Sequence, residues 1–208
     1  MKKLISLFCF VGILGSCHLL MAQNYASVSE NGIDNYKKRN PIYDYTESQL
    51  NNVDTIPDFD TKPDKLKITG TIYQHDGKTP ASDVIFYIFQ ADENGNYEMK
   101  RDANHKRYVY HRGWIKTNAD GKYTFYTFMP GKYIHSKVLK NIHRVIKEPG
   151  KPEKEIDAFF FNDDPLLADL TIACRASLVH SMLKLEKKDD MYVVTKDIIL
   201  GQNSVADQ

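Results

Sequence analysis

Asp83-Val84-Ile85-Phe86-Tyr87-Ile88-Phe89-Gln90 is the stretch on which the reading of the chain turns. Six consecutive β-branched or aromatic residues, closed off by turn chemistry on both sides, predict a strong strand. Working outward, His75-Asp76-Gly77-Lys78 is a turn of the Asp-Gly kind, and before it Lys67 to Gln74 alternates imperfectly as a second strand. On the other side Glu93-Asn94-Gly95-Asn96 turns the chain again. Arg107 to Tyr110, Gly113 to Thr117 and Lys122 to Phe128 then read as strands, with Ala119-Asp120-Gly121 as a turn and Met129-Pro130-Gly131 as a terminator. Asn141 to Glu148 and Glu155 to Phe161 flank the loop Pro149-Gly150-Lys151-Pro152, and Met182 to Leu185 with Met191 to Leu200 form a hairpin around Asp189-Asp190. A single short helix is expected from Pro165 to Leu178, capped by Asp163-Asp164. The fold class is therefore all-β: an antiparallel β-sandwich of about eight or nine strands with one short helix.

Composition agrees. Thirteen Tyr and ten Phe favour sheet, and eleven Gly with eight Pro favour frequent turns. Twenty-eight basic against twenty-seven acidic side chains leave a net charge of +1, which gives no electrostatic argument for a nucleic-acid partner. The N-terminus reads as a secretory signal over residues 1–22. Lys2 and Lys3 precede an apolar run from Leu4 to Leu14 that is too short to span a bilayer, and no transmembrane span is expected after it. Two exits compete, a lipobox at Leu14-Gly15-Ser16-Cys17, which would place a lipid anchor on Cys17, and a plain cleavage after Ala22. Either way the protein is expected to be exported, to the periplasm or to a lipid-anchored place in a bacterial envelope. Residues 23–65, polar and interrupted by Pro41, Pro57 and Pro63, read as a tether or as an arm on the domain at 66–208. Cys9 lies in the signal, so Cys174 stands alone in the domain and is expected to be a small buried residue.

Several chemistries have no motif to carry them. There is no phosphate-cradling glycine loop, no G-x-S-x-G elbow, no H-E-x-x-H and no paired-cysteine zinc motif. What remains is a set of tyrosines and histidines near turns and strand ends. Tyr97 follows the Asn94-Gly95 turn, Tyr133 follows Pro130-Gly131, and Asn141 and His143 share a strand face. Phenolate and imidazole suit a hard, highly charged cation, because a metal lowers the pKa of a bound phenol. The other histidines, His75, His105, His111, His135 and His180, read as solvent-facing loop residues.

The order of short motifs resembles the intradiol ring-cleavage dioxygenases, the catechol and protocatechuate enzymes, from Ile68 to about Leu167. It runs through Ile68-Thr69-Gly70-Thr71-Ile72, Pro80-Ala81-Ser82-Asp83-Val84 and Ile88 to Tyr97, where Phe89 stands in place of the usual Trp. It continues through Arg112 to Thr117, Asp120 to Phe125 and Met129-Pro130-Gly131-Lys132-Tyr133, then Asn141-Ile142-His143 and Phe161-Asn162-Asp163-Asp164-Pro165. The resemblance implies a β-sandwich that holds one non-haem Fe(III) on two tyrosinates and two histidines, and that acts with O2 on a small aromatic diol. Carried over by position, Tyr97 and Tyr133 match the tyrosinates, Tyr133 also being the catalytic base, and His143 matches the second histidine. Asn141 stands where the first histidine would be, with His135 or His111 as a substitute candidate, and Val138 occupies the place of an arginine that steadies charge on the substrate. Lys137 or Lys140 is a candidate replacement for that charge. A second reading is a non-catalytic ligand-binding or envelope interaction module on the same fold. A third is that Gly70 to Phe86 also looks like the opening of transthyretin-like β-domains, which lack the Tyr97, Tyr133 and His143 series.

Overall fold

The computed structural model describes residues 35–132 and 137–202. The signal segment with Cys9 and Cys17, together with Tyr133 and His135, lies outside the described residues. The chain divides into two compact units, Met1–Asn40 with Arg101–Arg107, and Pro41–Lys100 with Tyr108–Gln208. In the described part of the first, Tyr36 donates to the Asp102 carboxylate and Lys106 Nζ donates to the Arg39 carbonyl at 2.8 Å.

The second unit carries two packed sheets. One has the order β1 (Val53–Thr55), β7 (Lys122–Phe128), β2 (Lys65–Tyr73), β12 (Met191–Thr195), β11 (Glu186–Lys188), with β13 (Ile198–Ile199) also on β2. The other runs β10 (Met182–Leu183), β9 (Glu153–Phe161), β8 (Asn141–Lys147), β3 (Ile85–Gln90), β6 (Arg112–Lys116). β4 (Met99–Arg101) and β5 (Arg107–Val109) form a separate two-stranded ribbon. The β-sandwich expectation is borne out, with thirteen strands among the described residues rather than eight or nine. The central pairs β2 with β7, β3 with β6, β3 with β8 and β8 with β9 are antiparallel. Four further pairs, β1 with β7, β12 with β2, β13 with β2 and β10 with β9, are parallel. Strands β10, β12 and β13 fall in the expected runs Met182 to Leu185 and Met191 to Leu200, but the hairpin around Asp189-Asp190 is made by β11 with β12, while β10 pairs with β9.

The opening octapeptide explains itself in this setting. From β3, Phe86 and Ile88 point between the sheets, where Phe86 meets Tyr123, Phe125 and Phe159 edge-on at ring-centroid distances of 5.3, 5.4 and 6.3 Å. Ile85 and Tyr87 face the other way, into a second apolar cluster with Val145 and the fully buried Ile42. A strand buried on both faces needs no polar alternation, which is why the run is continuous.

Two smaller expectations are corrected. The helix expected from Pro165 to Leu178 is a 3-10 turn at Pro165–Asp169 followed by an α-helix at Ile172–Ser177. Asp164 caps the first by accepting from Leu166 N, and Thr171 starts the second by accepting from Cys174 N. Cys174 is exposed rather than buried, because every residue of that short helix is exposed. Among the described residues no helix is long and apolar enough to cross a membrane.

Candidate metal centre

The site is built on β8. Strand alternation sends Ile142 and Arg144 into the core and puts Asn141 and His143 on the opposite face. The register between β8 and β9 slips between Ile142 and Arg144, a bulge that leaves the Asp157 carbonyl to accept from Arg144 Nε at 2.5 Å. Arg144 is fully buried, over the Phe159 ring, and burial lowers its pKa to about 10. Its guanidinium therefore holds the inner side of the strand while the outer side is left for His143.

His143 is set by its neighbours. Phe89, its register partner on β3, stacks on the imidazole with ring centroids 4.5 Å apart and planes 5° from parallel. Glu155 Oε1 lies 3.9 Å from Nδ1, which favours the tautomer with hydrogen on Nδ1 and leaves the Nε2 lone pair facing outward. That Nε2 stands 2.8 Å from Tyr97 Oη. The phenol is delivered by the Asp92–Asn96 turn, in which Asp92 Oδ1 accepts from Asn94 N and Asn96 N. Burial raises the Tyr97 pKa; burial also lowers that of His143, against a smaller opposing pull from Glu155. Without a cation the pair is therefore a neutral phenol donating to a neutral imidazole.

Beside the pair lies a cavity of about 370 Å³ lined by Tyr97, Asn141, Val138, Leu139 and Lys132 among others. Asn141 donates Nδ2 to the Leu139 carbonyl at 2.9 Å, and its buried Oδ1 has no partner. An unpartnered buried acceptor is costly, and this one belongs to a residue that lines the same cavity as Tyr97. The spacing fits too. Two donors about 2.0–2.1 Å from one ion and at right angles around it lie roughly 2.9 Å apart, close to the Tyr97 to His143 separation. The structure thus brings Tyr97 and His143 into contact, with Asn141 on the adjoining cavity, and phenol, imidazole and amide are donor types that suit a hard metal ion.

Other candidates go elsewhere. Lys140 is turned to Asp163 at 3.3 Å, with its backbone N–H on Asp164, so it does not supply the missing charge; Lys137 is exposed and does not line the cavity. His111 is fully buried rather than solvent-facing. It packs edge-on against Phe128 and faces Asp58 Oδ2 at 3.3 Å. His111, Asp58 and Glu98 bring their donor atoms within 4.8 Å of one another. An ion on Nε2 would, however, leave a buried Nδ1–H without a partner, and Lys100 lies 3.3 Å from Glu98. Metal-bound histidines donate their second N–H, so this group is an ion-pair and hydrogen-bond cluster. Sequence reasoning missed Phe89 and Lys132 as parts of the site, because both depend on strand register and on cavity shape.

A family profile described as Dioxygenase matches residues 39–202, most of the chain. The chain belongs to the dioxygenase family. The resemblance to the intradiol ring-cleavage enzymes is borne out as well. Over 84 residues, 40% of this chain, it is 36% identical to catechol 1,2-dioxygenase 1 of Acinetobacter lwoffii; that match spans only 26% of the curated relative's length. Among solved structures, the dioxygenase domain of a dioxygenase carbohydrate-binding fusion from Streptomyces sp. SirexAA-E superposes with a TM-score of 0.59 at 22% identity, over 75% of this chain and 92% of that one. The 3-chlorocatechol 1,2-dioxygenase of Rhodococcus opacus 1CP gives 0.55 at 19% identity, over 74% and 68%. An intradiol ring-cleavage dioxygenase from Tetranychus urticae gives 0.55 at 18%, over 74% and 89%. At these identities the structural likeness speaks for the dioxygenase fold.

Proposed function

We propose that this dioxygenase-family chain is an exported, Fe(III)-dependent oxidoreductase that inserts O2 into the ring of a small catechol-type aromatic. The observation that carries the reading is the convergence of Tyr97 Oη and His143 Nε2 at 2.8 Å beside a cavity that Tyr97 and Asn141 both line. Tyr97, His143 and Asn141 would hold the metal, with Tyr133 as the second phenol. When bound, ferric iron supplies a strongly acidic centre that favours phenolates and draws electron density from an aromatic diol.

The protein's own residues do the rest. His143 is kept neutral by burial, so its Nε2 lone pair is free to bind at neutral pH. Tyr97 gives up its proton only in the presence of a cation, since burial raises its pKa. Tyr133 Oη takes the second proton of the incoming diol as general base. Ala91, Val138 and Leu139 give the cavity apolar walls for the ring. The leader-like N-terminus supports export, with Cys17 as the lipid-anchor option.

A second reading, a ligand-binding module without turnover, is favoured by one observation, the neutral amide of Asn141 in a ligand position. It is a poorer donor than imidazole and would hold iron less firmly. The test begins with iron-free protein titrated with Fe(III) and followed by visible absorption and by O2 uptake with catechol. A tyrosinate charge-transfer band that weakens in Tyr97→Phe and His143→Ala, with O2 consumed, is the expected result. A colourless wild type that consumes no O2 overturns the enzymatic reading.

A further inference from the structure

Among the described residues that line the cavity beside Tyr97, Lys132 is the one that bears a formal charge, and none is a carboxylate. Lys132 differs from several other lysines of the chain. Lys62 lies 2.6 Å from Glu93, Lys140 3.3 Å from Asp163 and Lys151 2.6 Å from Glu148, whereas Lys132 has no ion-pair or hydrogen-bond partner among the described residues. The residue is half-buried, its stem against the cavity wall.

The backbone fixes where it stands. Gly131 N donates to the Asp92 carbonyl at 2.8 Å, and Gly131 packs so closely on the 92–96 turn that a Cβ there would come within 2.1 Å of the Glu93 oxygen. Lys132 thus leaves the chain beside the turn that delivers Tyr97. The cavity, at about 370 Å³, exceeds the roughly 150 Å³ that suffices for benzene, so a substituted single ring has room.

We infer that Lys132 is a specificity-determining residue that selects an aromatic ligand bearing a carboxylate over its neutral counterpart. The inference rests on the proposed use of this cavity for an aromatic ring. The ligand's carboxylate replaces the missing counter-ion of Lys132, a charge-assisted contact inside apolar walls that a neutral amide or an unsubstituted ring cannot make.

Benzoate and benzamide are isosteric probes that lack a diol, so neither iron nor turnover enters the measurement. Titrating each into the iron-free full-length protein, followed by calorimetry or ligand NMR, is expected to show benzoate preferred by roughly five- to tenfold. The preference shrinks as salt is raised. Lys132→Met removes it and Lys132→Arg retains it. Lys116→Met, at the Glu47 pair away from the cavity, leaves it unchanged. Circular dichroism of each variant checks the fold. Equal binding of the two probes to wild type, no binding of benzoate at millimolar concentration, or a preference that survives in Lys132→Met overturns the inference. An iron band and O2 uptake alongside any of those results would leave the dioxygenase reading standing, whereas a benzoate preference in a colourless protein would sustain Lys132 and remove the chemistry.

Discussion

Asn141 is the residue on which the strength of the proposed metal centre turns. Its side chain is already held by the Nδ2 bond to Leu139 O at 2.9 Å, so a histidine there can use Nδ1–H for the same carbonyl and present Nε2 to the cavity. The substitution also removes the buried Oδ1 that has no partner. Asn141→His should therefore raise ferric affinity by on the order of tenfold or more, and strengthen the tyrosinate band at equal iron. Competition with a chelator measures it. Unchanged affinity would mean that some other group already fills the position. The absence of an arginine at Val138 is a separate deficit, since removing one preorganised charge near the reacting atoms commonly costs about 10²–10³ in rate. Asn141→His should then improve binding more than turnover.

At the scale of elements, the site is two strands and a turn held in register. β3 and β8 were legible in the sequence because their residues are apolar or alternate, and the 92–96 turn because Asn-Gly chemistry announces it. The stacking of Phe89 on His143 was not legible, since it depends on which residue faces which across the pair. Nor was the burial of His111, which follows from Asp58 reaching it from fifty-three positions away, at a positive φ of 66°. The parallel strand β1 has only three residues and escapes any periodicity argument. The turn makes its own prediction. A methyl group at Gly131 would lie 2.1 Å from Glu93 O and 2.6 Å from Gly95 N, both backbone atoms that cannot swing aside. Gly131→Ala should push the 92–96 turn away, destabilise the protein by about 1–3 kcal/mol and weaken iron binding together. Thermal melting and the iron titration read the two effects; a melting loss with unaltered iron affinity would show that the turn does not position Tyr97.

Across the sandwich as a whole, Asp54 joins the two sheets at one edge. β1 ends one sheet and β6 the other, and Asp54 on β1 accepts the Trp114 N–H of β6 at 2.7 Å while its second oxygen accepts Thr55 N at 2.8 Å. The approach is close because residue 113 is glycine: a Cβ there would stand 2.8 Å from Asp54 Oδ2. Burial raises the Asp54 pKa, with the two N–H bonds opposing it only in part. The native state therefore binds more protons than the unfolded chain between the ordinary aspartate value, about 3.9, and the raised one. Across that window stability contributed by this group falls as pH rises, and it is level above it, which is the reverse of an ion-paired carboxylate. Asp54→Asn removes the titration while keeping one acceptor oxygen. Urea midpoints measured in steps upward from about pH 4 should show, just above the ordinary aspartate value, a slope more negative in the wild type than in Asp54→Asn; the opposing rise from His143, whose pKa burial lowers, is common to both proteins. The fluorescence of Trp114, the one tryptophan of the chain, reports the transition from beside the group that titrates. Identical slopes in the two proteins would mean that Asp54 ionises freely and that the edge is sealed by Ile56 and its neighbours in the core instead.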